Sequence, residues 1–81
     1  MRIEVRLFAQ AREHVGSAQA RLELPDGSRA SHALDALQRT YPALAGLRPH
    51  LALAIDGTLA RPTDVLNDGC ELALLPPVSG G

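Results

Sequence analysis

Eighty-one residues, 46% hydrophobic and 21% charged, make one domain with a modest core and little material left for an active-site cleft. Phe8 and Tyr41 are the sole aromatics, so the core must be aliphatic, and the usual aromatic platforms for bases or sugars are missing. Eight arginines scattered among nine acids, with no lysine, give a net charge of −1, no electrostatic footprint for nucleic acid and no lysine ammonium to accept an acyl group.

Residues 2–8 alternate. Ile3, Val5 and Leu7 fall on one side and Arg2, Glu4 and Arg6 on the other, the pattern of a strand with one wet face. The alternation lapses over Phe8-Ala9-Gln10-Ala11-Arg12-Glu13, which predicts a short helix stopped near Gly16. It returns in Ala20-Arg21-Leu22-Glu23-Leu24, and Pro25-Asp26-Gly27 closes that strand in a turn, so the two strands suggest a hairpin-like pair. Ala30, Ala33, Leu34, Leu37 and Tyr41 then share one helical face, with Ser28 as the expected N-cap and Pro42 ending the helix.

Pro49 closes a connection read as irregular. Residues 51–55 and 71–75 are mostly apolar, as expected of better-covered strands. Asp56-Gly57 signals a turn, a short strand is expected near Thr58 and Leu59, and residues 61–69 read as loop with few core candidates. One sheet with one main helix across it buries both amphipathic faces, so the order fits a compact α+β roll of the ubiquitin-like type. The chain divides into a domain at 1–75 and an extended tail at 76–81.

Cys70 alone supports neither an internal disulfide framework nor a thiolate metal cluster, and His14, His32 and His50 lack ligand spacing, so no metal is expected. The N-terminal segment lacks signal-peptide order, and the apolar stretches are far too short to cross a bilayer. The expected setting is cytoplasmic, with no membrane or nucleic-acid partner.

The tail, Pro76-Pro77-Val78-Ser79-Gly80-Gly81, is the most informative segment. Consecutive prolines cannot donate to a sheet and favour an extended course, so they lead the chain away from the body. Six residues reach roughly 20 Å when extended. Two terminal glycines fit a narrow channel where a bulkier tip would jam. Gly-Gly alone is also what a frayed end looks like; the rigid exit, the apolar Val78 and the bare tip together point to function. A terminal carboxylate, with a pKa of about 3.5, is anionic and a poor electrophile at neutral pH. It becomes reactive as an acyl adenylate, from which a sulfur nucleophile makes a thiocarboxylate. The chain has no Gly-rich phosphate loop, so a partner must supply the ATP site.

Phe8-Ala9-Gln10-Ala11-Arg12-Glu13-His14-Val15-Gly16, Tyr41-Pro42-Ala43-Leu44 and Leu74-Leu75-Pro76-Pro77-Val78-Ser79-Gly80-Gly81 together resemble the small, sulfur-carrying subunit of molybdopterin synthase. The resemblance spans nearly the whole chain and implies a β-grasp fold. It implies that Gly81 is adenylated by a ubiquitin-activating-like adenylyltransferase using ATP and Mg, with no cofactor bound permanently. A sulfur donor protein would then convert Gly81 to a thiocarboxylate. Gly80 and Gly81 would enter the large synthase subunit, in a heterotetramer, and sulfur would pass to the pterin precursor. The chain would thus be a sulfur-donor subunit with no autonomous activity.

Pro77, Val78, Ser79 and Gly80 are the candidate docking residues of the tail. Phe8 and Arg12 join them through the resemblance, although Phe8 reads more naturally as a core or near-core residue. Arg12 and Glu13 fit either a partner contact or solvated helix surface. Cys70 and Asp56-Gly57 depart from the family pattern, which usually has Gly-Asp-Glu and an asparagine at these places; Cys70 reads as a strand-start residue without catalytic duty. Two other readings stay open: a carrier for thiamine or tRNA thiolation, and a ubiquitin-like module that binds without covalent chemistry.

Overall fold

The computed structural model describes residues 1–76. Its elements are β1 (Arg2–Leu7), α1 (Ala9–Val15), β2 (Gln19–Glu23), α2 (Ala30–Thr40), α3 (Leu44–Leu47), a 3-10 turn (Arg48–His50), β3 (Ala52–Ile55), β4 (Thr58–Ala60) and β5 (Glu71–Leu75). The five strands form one sheet in the order β2-β1-β5-β3-β4, in which β1 and β5 are parallel and the other neighbours antiparallel. This mixed sheet with α2 across one face is the β-grasp roll.

The alternation in β1 sets the layers. Ile3, Val5 and Leu7 are buried with Leu72 and Leu74 of β5 and Leu53 of β3, against Ala30, Ala33, Leu34 and Leu37 of α2. Truncating a fully buried leucine such as Leu72 or Leu74 in a core of this kind costs about 2–5 kcal/mol. On the other face the strands pair charges, Arg2 with Glu23 at 2.8 Å and Arg21 with Glu4 at 2.8 Å. Such exposed pairs each contribute at most about 1 kcal/mol.

Three local expectations need correction. The N-cap of α2 is Arg29, and Ser28 instead donates its hydroxyl to the Pro25 carbonyl at 2.7 Å. The helix does not need a hydroxyl cap, because the 61–69 segment satisfies its first turn: Ala30 N–H donates to Asp64 O and Ser31 N–H to Pro62 O, both at 2.9 Å. The Arg29 N–H is taken by His32 Nδ1 at 2.8 Å. That same segment supplies Leu66, 2% exposed and part of the core, while the adjacent Val65 stays exposed; one apolar pair in a polar stretch shows no period in the sequence. The connection before β3 is helical rather than irregular. Leu44 and Leu47, three residues apart, bury together, and the Arg48 guanidinium holds the turn to α2 by donating to Asp35 at 2.6 Å and to Gln38 at 3.2 Å.

The Asp56-Gly57 departure from the family pattern is explained by the turn it makes. Ile55 pairs directly with Thr58, leaving a two-residue hairpin loop in which Asp56 has φ +49 and Gly57 φ +82. Both signs are those of a type I′ turn, and aspartate is among the few side chains that tolerate the left-handed region. Asp56 also ties the hairpin to β5: its N–H donates to Glu71 O and its Oδ1 accepts from Glu71 N–H, both at 2.9 Å. Asp56→Ala is therefore expected to cost about 2 kcal/mol, roughly 10 °C in Tm for a domain of this size. Asp56→Asn keeps the acceptor and the backbone tolerance and should stay within about 0.5 kcal/mol of the parent, as thermal and urea unfolding would show.

Candidate functional site

The position of β5 decides where the tail begins. It is a central strand, parallel to β1, and it ends at Leu75, so the exposed Pro76 starts from the end of the sheet where β1 also finishes. The remaining tail residues proposed for chemistry and docking, Pro77, Val78, Ser79, Gly80 and Gly81, lie outside the described residues.

Strand register gives the composition of the sheet's open face, the one away from α2. Arg6, Ala73, Ala54 and Leu59 form one row across β1, β5, β3 and β4, and Leu75 pairs with Ala52 in the next. Leu59 is 77% exposed, whereas Ala52, Ala73 and Leu75 are half-buried. The face is thus split. Arg2, Glu4, Arg21, Glu23 and Glu71 occupy one end, and an apolar surface occupies the end from which Pro76 departs. The apolar character expected of residues 51–55 and 71–75 is real, but α2 covers one side of those strands only. An apolar face at the root of an extended tail suits protein contact.

Phe8 belongs to this region and not to the core, contrary to expectation. Its backbone is extended (φ −127, ψ 155) and continues the alternation of β1, so its ring projects with Arg6 rather than with Leu7. The ring is 39% exposed, with the Arg6 guanidinium carbon 6.0 Å from its centroid. Phe8 and Pro76 also border a concavity of about 270 Å³ lined by Ala9, Gln10, Ala11, Leu47 and Leu51. Arg12 follows one helical turn after Phe8 and is exposed; among the described residues it forms no ion pair. Structure therefore brings Phe8, Leu75 and Pro76 to one end of the sheet, with Arg12 on the flanking helix, and places Leu59 on the edge strand of the same open face, level with Ala54 and Ala73. Leu59 and Leu75 were missed as surface candidates from sequence. The available signal was that β3 and β5 are apolar at successive positions in a fold with one helical layer.

Little else in the described chain has the makings of a reactive centre. A larger concavity, about 470 Å³, lies at the other end of the sheet beside Pro25, Asp26, His32, Asp35 and Arg39, remote from Pro76. Among the described residues no group of three or more His, Cys, Asp or Glu is placed to hold a metal ion, and no helix is long and apolar enough to cross a membrane. Cys70 is 4% exposed, and burial pushes its thiol above the ordinary value, which disfavours the nucleophilic thiolate. It precedes β5, while the tail leaves after it, about 17 Å away along the strand.

This architecture has close counterparts. A molybdopterin synthase sulfur carrier subunit of Arabidopsis thaliana is 37% identical, over 98% of this chain and 82% of the relative. Small archaeal modifier protein 1 of Haloferax volcanii is 36% identical, over 98% of this chain and 100% of the relative. A crystal structure of that modifier protein superposes with a TM-score of 0.89 at 34% identity, covering 100% of both chains. Subunit 1 or 2 in a complex of the two subunits of molybdopterin-converting factor from Helicobacter pylori matches with a TM-score of 0.69 at 27% identity, again over 100% of both chains. The ThiS family model matches residues 5–81, from the second half of β1 to the terminal glycines, and the chain belongs to the ThiS family.

Proposed function

We propose that this chain is the sulfur-carrier subunit of a molybdopterin synthase and carries sulfur as a thiocarboxylate on Gly81. The observation that carries the reading is that β5, the last strand before the Gly-Gly sequence, is central in the sheet and leads to an exposed Pro76 at the apolar end of the open sheet face. Relatives named as sulfur carrier subunits, aligned over 98% or more of this chain, supply the pathway. The neighbour solved as a complex of two molybdopterin-converting subunits supports the kind of partner.

The chemistry follows from what a carboxylate lacks. A Gly81 carboxylate oxygen attacks the α-phosphorus of ATP on an adenylyltransferase, pyrophosphate leaves, and the acyl adenylate forms. A donor protein's persulfide sulfur attacks that carbonyl and AMP leaves. A thiol then attacks the donor's sulfur in the resulting acyl disulfide, forms a disulfide with it and so supplies the two electrons, and the thiocarboxylate is released. Free sulfide gives the thiocarboxylate directly. The carrier then docks on the large synthase subunit through Phe8, Leu59 and Leu75, with Arg12 on the rim. Pro77, Val78, Ser79 and Gly80 lie along the partner's channel and present the sulfur to the pterin precursor. Hydrolysis restores the carboxylate, and two turnovers supply the two sulfurs of a dithiolene, in keeping with a heterotetramer that has a carrier at each end. A cytoplasmic setting accords with the free, buried thiol of Cys70.

A second reading, a protein modifier joined to amines through the same activated carboxyl, draws on the likeness to small archaeal modifier protein 1. The two diverge at the nucleophile that meets the adenylate: sulfur in one, an amine in the other.

Intact-mass measurement after incubation with the adenylyltransferase, Mg-ATP and a sulfide source tests the proposal. Replacement of one oxygen by sulfur, located at Gly81 by fragmentation and absent in a chain lacking Gly81, is the expected result. Covalent conjugates to other proteins without a thiocarboxylate species would favour the modifier reading, and full cellular function without Gly81 would favour non-covalent binding. Cys70→Ala removes a small buried group and should lower stability by about 1 kcal/mol while leaving conversion at Gly81 unchanged. Loss of conversion in a folded Cys70→Ala chain would assign that thiol a chemical role.

A further inference from the structure

Two residues other than glycine have positive φ among the described residues, Ala9 and Asp56, both at φ +49. The left-handed region crowds Cβ against the backbone, and an L-residue that occupies it does so because its surroundings impose it. Asp56 has its local reason in the hairpin turn and the bonds to Glu71. Ala9 has neither a turn type that calls for positive φ nor a side chain able to bond the backbone.

What Ala9 does is switch the chain from strand to helix in one residue. Phe8 is still extended, yet α1 starts at Ala9, and the Phe8 carbonyl already accepts from Ala11 N–H at 3.2 Å. Ala11, two residues on, is buried in the core at 1% exposure, while Phe8 stays outside at 39%. A longer connection would free the Phe8 ring to turn toward apolar neighbours. The sharp reversal holds it at the surface, beside Arg6 and on the border of the concavity that Leu47, Leu51 and Pro76 also line. Two costs therefore meet at adjacent positions, a strained alanine and an exposed phenylalanine, at the root of the tail. Departures from local preference of this kind gather where function requires them.

We propose that Ala9 is a positioning residue for docking: its left-handed backbone pre-organises Phe8 as an outward anchor for the large synthase subunit. The proposal rests on the sulfur-carrier reading and adds to it the element that fixes the anchor before the partner arrives. Pre-organisation raises affinity by lowering the ordering cost of binding, so its removal is read in affinity and not in stability.

Glycine and D-alanine separate these effects, because both accept positive φ while only D-alanine is confined to it. Three chains are compared for unfolding midpoint and for binding to the large subunit by calorimetry: the wild type, Ala9→Gly, and a synthetic chain with D-alanine at position 9. Ala9→Gly is expected to unfold at or above the wild-type midpoint and yet to bind about three- to tenfold more weakly. D-alanine should raise the midpoint and restore binding to the wild-type level or better. Undiminished binding by the Ala9→Gly chain, or no rescue by D-alanine, overturns the inference alone. A wild-type chain that does not bind the large subunit at all removes the sulfur-carrier reading and this inference with it.

Discussion

The structure depends on the pairing of β5 between β1 and β3. The last strand of the chain enters the middle of the sheet, held by a parallel ladder from Glu4↔Glu71 to Leu7↔Leu74 and an antiparallel one from Ala52↔Leu75 to Ile55↔Leu72. Its inward residues, Leu72 and Leu74, are fully buried under α2. A central strand is among the last elements to detach from a small domain, so whatever follows it begins at a fixed point. That is what a carrier requires: a tip free to enter another protein, on a base that does not move with it.

The same pairing creates the open apolar face proposed for docking. β5 carries Ala73 and Leu75 on its open side, next to Ala54 and Ala52 of β3, and Leu59 extends the row at the edge. An alternating strand needs one apolar face in a two-layer fold; these strands have two. Among the described residues the second has no helix to cover it, and it lies where Pro76 leaves the sheet; under the proposed function, recognition sits there and the chemistry is kept apart from the folded body. Cys70 sits buried at the far end of β5, and the absence of lysine means that no side-chain amine of this chain competes for an activated Gly81.

Much of this was legible in the amino-acid order. The wet-faced β1, the amphipathic α2, the Asp56-Gly57 hairpin and the apolar β5 each announce themselves through a local period or turn chemistry, and the structure has all four. What was not legible depends on contacts distant in sequence. Ser28 looks like an N-cap until the 61–69 segment is seen to satisfy the first turn of α2. Leu66 stands beside Val65 in an otherwise polar segment, and no period tells which of the two is core; the structure buries Leu66 and leaves Val65 exposed. Phe8 fits a core pattern by composition, and its exposure follows from the backbone reversal at Ala9, which no local signal reveals. Leu59 in a three-residue edge strand gains meaning only from its register with Ala54. The reading of the tail rests on composition and chemistry alone, because Pro77 to Gly81 lie outside the described residues.

The central claim, that one face recognises while the tail delivers, is tested most directly by the affinity of Leu59→Asp for the large synthase subunit. Leu59 is 77% exposed, so the substitution should leave the unfolding midpoint within about 0.5 kcal/mol of wild type. A charge placed on the most exposed apolar side chain of the contact should weaken binding about tenfold or more, in calorimetric titration beside the wild-type chain. Wild-type affinity in a folded Leu59→Asp chain would contradict the account and leave the tail as the sole element that the partner reads.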